Sequence, residues 1–264
     1  MIPQLATFRE AMQRGDREAM RRALSELADA CTSSPPSALF PRQPARPSLT
    51  PRHLSTLCVQ AATLRRAGFE QELVGATLYG VPGDVIQPLT TYLLRLPEML
   101  EKGRGLALCG GMGTRKTGTL ALISEAACTY LPPPFSGEAA AAPRALVMYR
   151  RMPKLMRFLG LRVPFERQAV WDAEFHQLTR VPFLLVDEFH VHAGGDYGAD
   201  MLLELMDIRA TAPCVTCLAM NGLWDELTRA QHPVLRQLRE KLAPRTKELR
   251  FTGASRRADG WEWE

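Results

Sequence analysis

The sequence predicts an α/β fold in which a central parallel β-sheet is flanked by helices, with a small helical region ahead of it. Three observations carry this. Short apolar runs alternate with helical stretches through the last three quarters of the chain: GLALC (105–109), ALVMYR (145–150), VPFLLVDEF (181–189), CVTCLAM (214–220) and ELRFTG (248–253). The runs are nearly continuous in apolar residues, as in parallel strands buried on both faces. Finally, the first run passes through a glycine-rich turn directly into a helical stretch, at the carboxyl end of a strand, where open α/β sheets bind ligands.

Residues 3–30 read as two short helices. Leu5, Phe8 and Met12 share one face, Met20, Leu24 and Leu27 another, and Asp16 is placed to cap the second. Residues 1–32 thus form an N-terminal helical region. Residues 33–52 are proline-rich and read as an extended linker, because proline lacks an N–H and breaks helices. A connecting helix is expected over 53–66, and the main domain over 67–264. Within it, helices are expected over KTGTLALISEAACTY (116–130), over 152–179 and over ADMLLELMDIRA (199–210).

The composition suits this plan. The chain has 264 residues, 46% hydrophobic and 23% charged, enough for one main domain and an appendage. It has no apolar run long enough to span a bilayer and no basic, apolar leader at its start, so a cytoplasmic protein is expected. Six scattered cysteines read as reduced thiols. Cys214 and Cys217 have half the spacing of a zinc site, but an offset of three in a strand points them to opposite faces. A net charge of +5 is compatible with a nucleic-acid partner without requiring one.

The turn GGMGTRKTG (110–118) carries the first chemistry. A phosphate-binding loop reads G-x-x-x-x-G-K-[ST]. Gly110, Gly111, Met112, Gly113 and Thr114 supply a turn whose amides can approach an anion. Lys116 would reach the outer phosphates, Thr117 would hold magnesium, and Gly118 completes the set of nucleotide-binding residues. Arg115 stands where the pattern has glycine. The second element is FLLVDEFH. Two adjacent carboxylates ending a buried strand are costly unless they serve a cation or a reacting water. Asp187 is the candidate magnesium ligand and Glu188 the residue that polarises attacking water. Asn221 ends a further apolar strand and is placed to orient that water. Downstream, VLRQLREKLAPRTKELRFTGASRR carries Arg236, Arg239, Lys241 and Arg257, cations suited to phosphate charge or to a nucleic-acid backbone. His190, His192 and Asp196 form a weaker metal candidate.

In order and spacing these elements resemble the DnaC/DnaI/IstB group of AAA+ ATPases, the bacterial helicase loaders and transposition helpers, over roughly residues 67–257. AGFEQELVGATL and LPEMLEKGRGLALCGGMGTRKTGTLA are similar to that family's approach to its Walker A loop, and FLLVDEFH to its Walker B strand. LLELMDIRATAPCVTCLAMNGLWDEL resembles its helix, a basic residue (here Arg209) and the sensor-1 strand. VLRQLREKL and the G-x-S-x-R ending at Arg257 resemble its arginine-finger helix and closing element. The resemblance implies an AAA+ P-loop domain that uses ATP and Mg2+, forms a homo-oligomer and binds single-stranded DNA. It implies a protein partner, a replicative helicase or a transposase-type protein, gripped by residues 1–32. It also makes Arg236, Arg239, Lys241 and Arg209 candidates for cations acting across a subunit interface.

Two departures set the expected activity. Arg115 must either push the loop outward or swing its stem away. In the finger helix the usual arginine positions fall near Gln237 and Lys241, and lysine lacks the planar fork of arginine. ATP binding with weak or slow hydrolysis is therefore expected. Three readings stay open: a helicase loader, a transposition helper, and a scaffold that binds a partner without turning ATP over.

Overall fold

The structure, a computed structural model, describes residues 50–69, 71–131, 145–161, 164–190, 195–225 and 233–252. The expected N-terminal helices, nearly all of the proline-rich linker, His192 and the closing element with Arg257 lie outside the described residues.

Five parallel strands form one sheet, in the order β2-β3-β4-β1-β5. They are β1 (Gly105–Gly110), β2 (Val147–Arg151), β3 (Phe183–Asp187), β4 (Val215–Asn221) and β5 (Thr246–Phe251). Each apolar run became a strand within a few residues of its predicted bounds. The side chains alternate as a two-residue period demands. Leu106 and Leu108 of β1, Phe183 and Leu185 of β3, and Val215, Cys217 and Ala219 of β4 face one core. Ala107, Cys109, Leu184, Val186, Leu218 and Met220 face the other.

The first face is covered by helices α1 (Pro51–Ser55), α2 (Ala61–Ala67), α3 (Gly83–Leu94), α4 (Leu96–Glu101) and α5 (Lys116–Tyr130). The second is covered by α6 (Met152–Leu159), α7 (Phe165–Arg180), α8 (Gly195–Thr211) and α9 (Pro233–Leu242). In α6 the buried Met152, Leu155, Met156 and Leu159 make one apolar stripe at helical spacing, with Lys154 and Arg157 outside it.

One element departs from expectation. The single helix read over 53–66 is two short helices, α1 and α2, parted by an extended stretch. There Val59 exchanges backbone hydrogen bonds with residues 75 and 76, and Cys58 bridges Thr77. Leu57 and Val59 are both buried. Alternation over these few residues is too short to show against a helical pattern, and the pairing partner lies some way along the chain.

Candidate functional site

The loops after β1, β3 and β4 meet at the carboxyl end of the sheet, around an open cavity of about 540 Å³. The phosphate-loop sequence leaves β1 at Gly110. A Cβ there would lie 2.4 Å from the Phe251 carbonyl oxygen of neighbouring β5, so only glycine lets the strand end so close to its neighbour. The loop turns at Gly113 (φ 75°) and Arg115 (φ 68°), and α5 starts at Lys116. No side chain caps α5, so the positive end of a fifteen-residue helix faces the cavity. Lys116 is 7% exposed. It folds over the loop and donates to the carbonyl oxygens of Gly110 (2.9 Å) and Gly111 (2.5 Å) and to Thr114 Oγ1 (3.2 Å).

Asp187 ends β3 inside the cavity wall and is 6% exposed. Its Oδ2 accepts from Thr117 Oγ1 at 2.7 Å and from the Tyr149 hydroxyl at 3.1 Å, and its Oδ1 accepts from the Glu188 amide at 2.8 Å. A carboxylate this deep is tolerable because three donors serve it. Burial, and then the neighbouring Asp187 charge, raise the Tyr149 phenol well above its ordinary pKa, so it stays a donor. The Tyr149 ring stacks on Phe69 with centroids 3.9 Å apart, which fixes the hydroxyl in place.

Glu188 follows with φ 53°, a backbone region rare for a non-glycine residue. Its carboxylate is gripped by Arg151 from the end of β2: Nη2 lies 2.6 Å from Oε1 and Nε 3.2 Å from Oε2. Asn221, at the end of β4, stands exposed on the cavity wall. Gly110, just before the loop, is bridged to Gly222, just after Asn221.

The structure thus brings Met112, Gly113, Thr114, Arg115, Lys116, Thr117, Gly118, Asp187, Glu188 and Asn221 onto one cavity. Of the two alternatives for Arg115, the stem swings away. The residue adopts the left-handed conformation glycine would take, and its guanidinium lies over Gly80. The other cations separate. Arg239 pairs with Asp225 at 2.5 Å and Lys241 with Asp207. Arg236 is exposed. Arg209 corrects an expectation: it is 1% exposed and faces the core, not a neighbouring subunit. Its guanidinium donates to Thr216 Oγ1 and to the carbonyls of Leu178, Val181 and Val215 at 2.6–3.0 Å. Two of these carbonyls lie at the carboxyl end of α7, whose dipole favours a cation. Burial lowers the Arg209 pKa below its usual range.

Three parts of the site escaped the sequence reading. Residues 72–76 form the cavity wall opposite the loop. Tyr149 and Arg151 reach Asp187 and Glu188 because β2 lies beside β3, with Arg151 in register with Asp187. The paired arginines ending ALVMYRR were the available signal, but their meaning depends on strand order. Beyond Arg151 a smaller cavity of about 300 Å³ opens between β2, α6 and α7, where Arg150 pairs with Glu174 at 3.2 Å. Among the described residues no group of three or more His, Cys, Asp or Glu side chains is placed to hold a metal ion. No described helix is long and apolar enough to cross a membrane.

Known structures share this architecture. DnaI matches at 19% identity with a TM-score of 0.53, over 73% of this chain and 99% of its own. The chain has the fold of DnaI. The DnaC helicase loader matches at 12% identity and a TM-score of 0.50, over 69% of this chain and 99% of its own. A protein described as a primosome component from Streptococcus pyogenes serotype M3 matches at 17% identity and a TM-score of 0.51, over 75% and 98%. No family model matches the chain, and no curated protein does.

Proposed function

We propose that the chain is an ATP-binding AAA+ protein that loads a replicative helicase, binding single-stranded DNA and the helicase and hydrolysing ATP slowly. The observation that carries the nucleotide reading is the convergence of Lys116, the Thr117–Asp187 pair and Glu188 on one cavity at the uncapped start of α5. Likeness of fold to the DnaC helicase loader supports the choice of partner.

The residues present fit magnesium and a nucleoside triphosphate. Thr117 Oγ1 and the Asp187 carboxylate are hard oxygen donors already side by side, and magnesium is commonly held by one or two protein oxygens plus phosphate and water. Bound there, it would neutralise phosphate charge. Lys116 is the movable donor: its ammonium rests on loop carbonyls that an incoming phosphate oxygen can replace. The amides of the loop and of the first turn of α5 supply fixed dipoles. Tyr149 holds Asp187, Asn221 reaches toward the reacting side, and Glu188 is the base that orients water once it leaves Arg151.

The Arg151–Glu188 pair favours a second reading, a nucleotide-dependent scaffold with little turnover, since the polarising carboxylate is engaged. One experiment separates the readings: capture of partners by the full-length protein with ATP, ADP or no nucleotide, paired with phosphate release. A replicative helicase captured only with ATP, with measurable release, supports the loader. ATP-dependent capture without release supports the scaffold. A transposase-type partner would move the assignment to a transposition helper, and capture indifferent to nucleotide would remove the nucleotide reading.

A further inference from the structure

Gly80 ends a short 3-10 turn, Leu78–Gly80, on the chain segment that follows the cavity wall at residues 72–76. Its backbone does not need glycine, because its φ lies outside the left-handed region. What glycine provides is room. A Cβ at position 80 would lie 2.4 Å from Arg115 Nη1 and 3.6 Å from Arg115 Cζ, and among the described residues nothing else comes within 4 Å. Arg115 is exposed. The space over Gly80 marks where the guanidinium rests, while Arg115 itself belongs to the lining of the cavity.

Resting on the nucleotide reading above, we propose that Gly80 is a positioning residue for the nucleotide cavity. Its missing side chain is the seat that keeps the Arg115 guanidinium off the mouth of the cavity. Arg115 precedes Lys116 on the cavity rim, and its long stem pivots from a loop fixed on both sides. Held on Gly80, it leaves the phosphate bed open. With the seat filled, the same stem must swing through solvent or across the mouth. Glycine at 80 and arginine at 115 are thus a matched pair, the first accommodating what the second introduced.

A double-mutant cycle tests this with full-length protein and magnesium plus a ribose-labelled fluorescent ATP. Valine at 80 is β-branched and cannot fold aside. Gly80→Val is expected to weaken nucleotide affinity at least fivefold when Arg115 is present and less than twofold in an Arg115→Gly background, roughly the non-additivity of contacting residues. The thermal midpoint of each variant reports whether it folds, and Gly80→Ala serves as the milder probe. Equal losses in both backgrounds, or no loss in either, overturn the seat. So does tighter binding that depends on Arg115, which would make the displaced arginine a ligand. Failure of both the native and Arg115→Gly proteins to bind labelled ATP sinks the nucleotide reading itself, a result distinct from binding without coupling.

Discussion

Replacing Arg151 with methionine is expected to speed single-turnover ATP hydrolysis. Methionine keeps the aliphatic stem and removes the two N–H groups that hold Glu188. On the proposed function the pair must open before Glu188 can orient water, and the cost of opening is set by its geometry. The contacts of 2.6 and 3.2 Å are charge-assisted and nearly bidentate. The side chains are 39% and 35% exposed, so water screens them, and the pair is worth about 0.5–1 kcal/mol. With a tenfold change in rate for about 1.4 kcal/mol, opening slows the chemical step about two- to fivefold. Arg151→Met should recover that factor in a rapid-quench assay under saturating enzyme, with ATP affinity unchanged. Raising the salt concentration should shrink the difference between the two proteins, because the pair is screened. An unchanged or slower step in Arg151→Met, with affinity intact, would refute the reasoning and make Arg151 a participant in catalysis.

Lys116→Ala should abolish ATP binding by equilibrium dialysis, whereas Glu188→Gln should bind ATP and release almost no phosphate; normal affinity in Lys116→Ala would undo the site. Arg115 sits at φ 68°, ψ 23°, so Arg115→Val, β-branched in a left-handed conformation, should cost about 1–2 kcal/mol. At about 2–4 °C per kcal/mol for a domain of this size, its thermal midpoint should fall by about 2–8 °C. Arg115→Gly should hardly move it, since released strain and added freedom of the unfolded chain nearly cancel. Burial pushes the Cys109 thiol up to about 12 and the Cys217 thiol up to about 11. In a Cys31→Ser protein at pH 8, well below both values, these two thiols stay protonated. Ellman's reagent should label the partly exposed Cys58 first and Cys128 more slowly, leaving Cys109, Cys214 and Cys217 silent until the chain unfolds.

What the sequence by itself determined was whatever depends on near neighbours in the chain. The five strands were legible because a strand buried on both faces must be apolar almost throughout. The glycine-rich loop and the DE pair that line the cavity were legible because each is a run of consecutive residues at the end of such a strand. The anomaly at Arg115 showed for the same reason, although the sequence left two outcomes for it. The tertiary structure chose between them by placing Gly80, thirty-five positions earlier in the chain, beneath the guanidinium. Strand order was also beyond the sequence, and with it the meaning of Tyr149 and Arg151: only because β2 lies against β3 do they hold Asp187 and Glu188. The resemblance made Arg209 a candidate cation acting across a subunit interface, yet the carbonyls of Leu178, Val181 and Val215 converge to receive it in the core. Local pattern fixes which groups a segment carries. Which groups face one another, and which charges are neutralised within the chain, is settled by packing between segments distant in sequence.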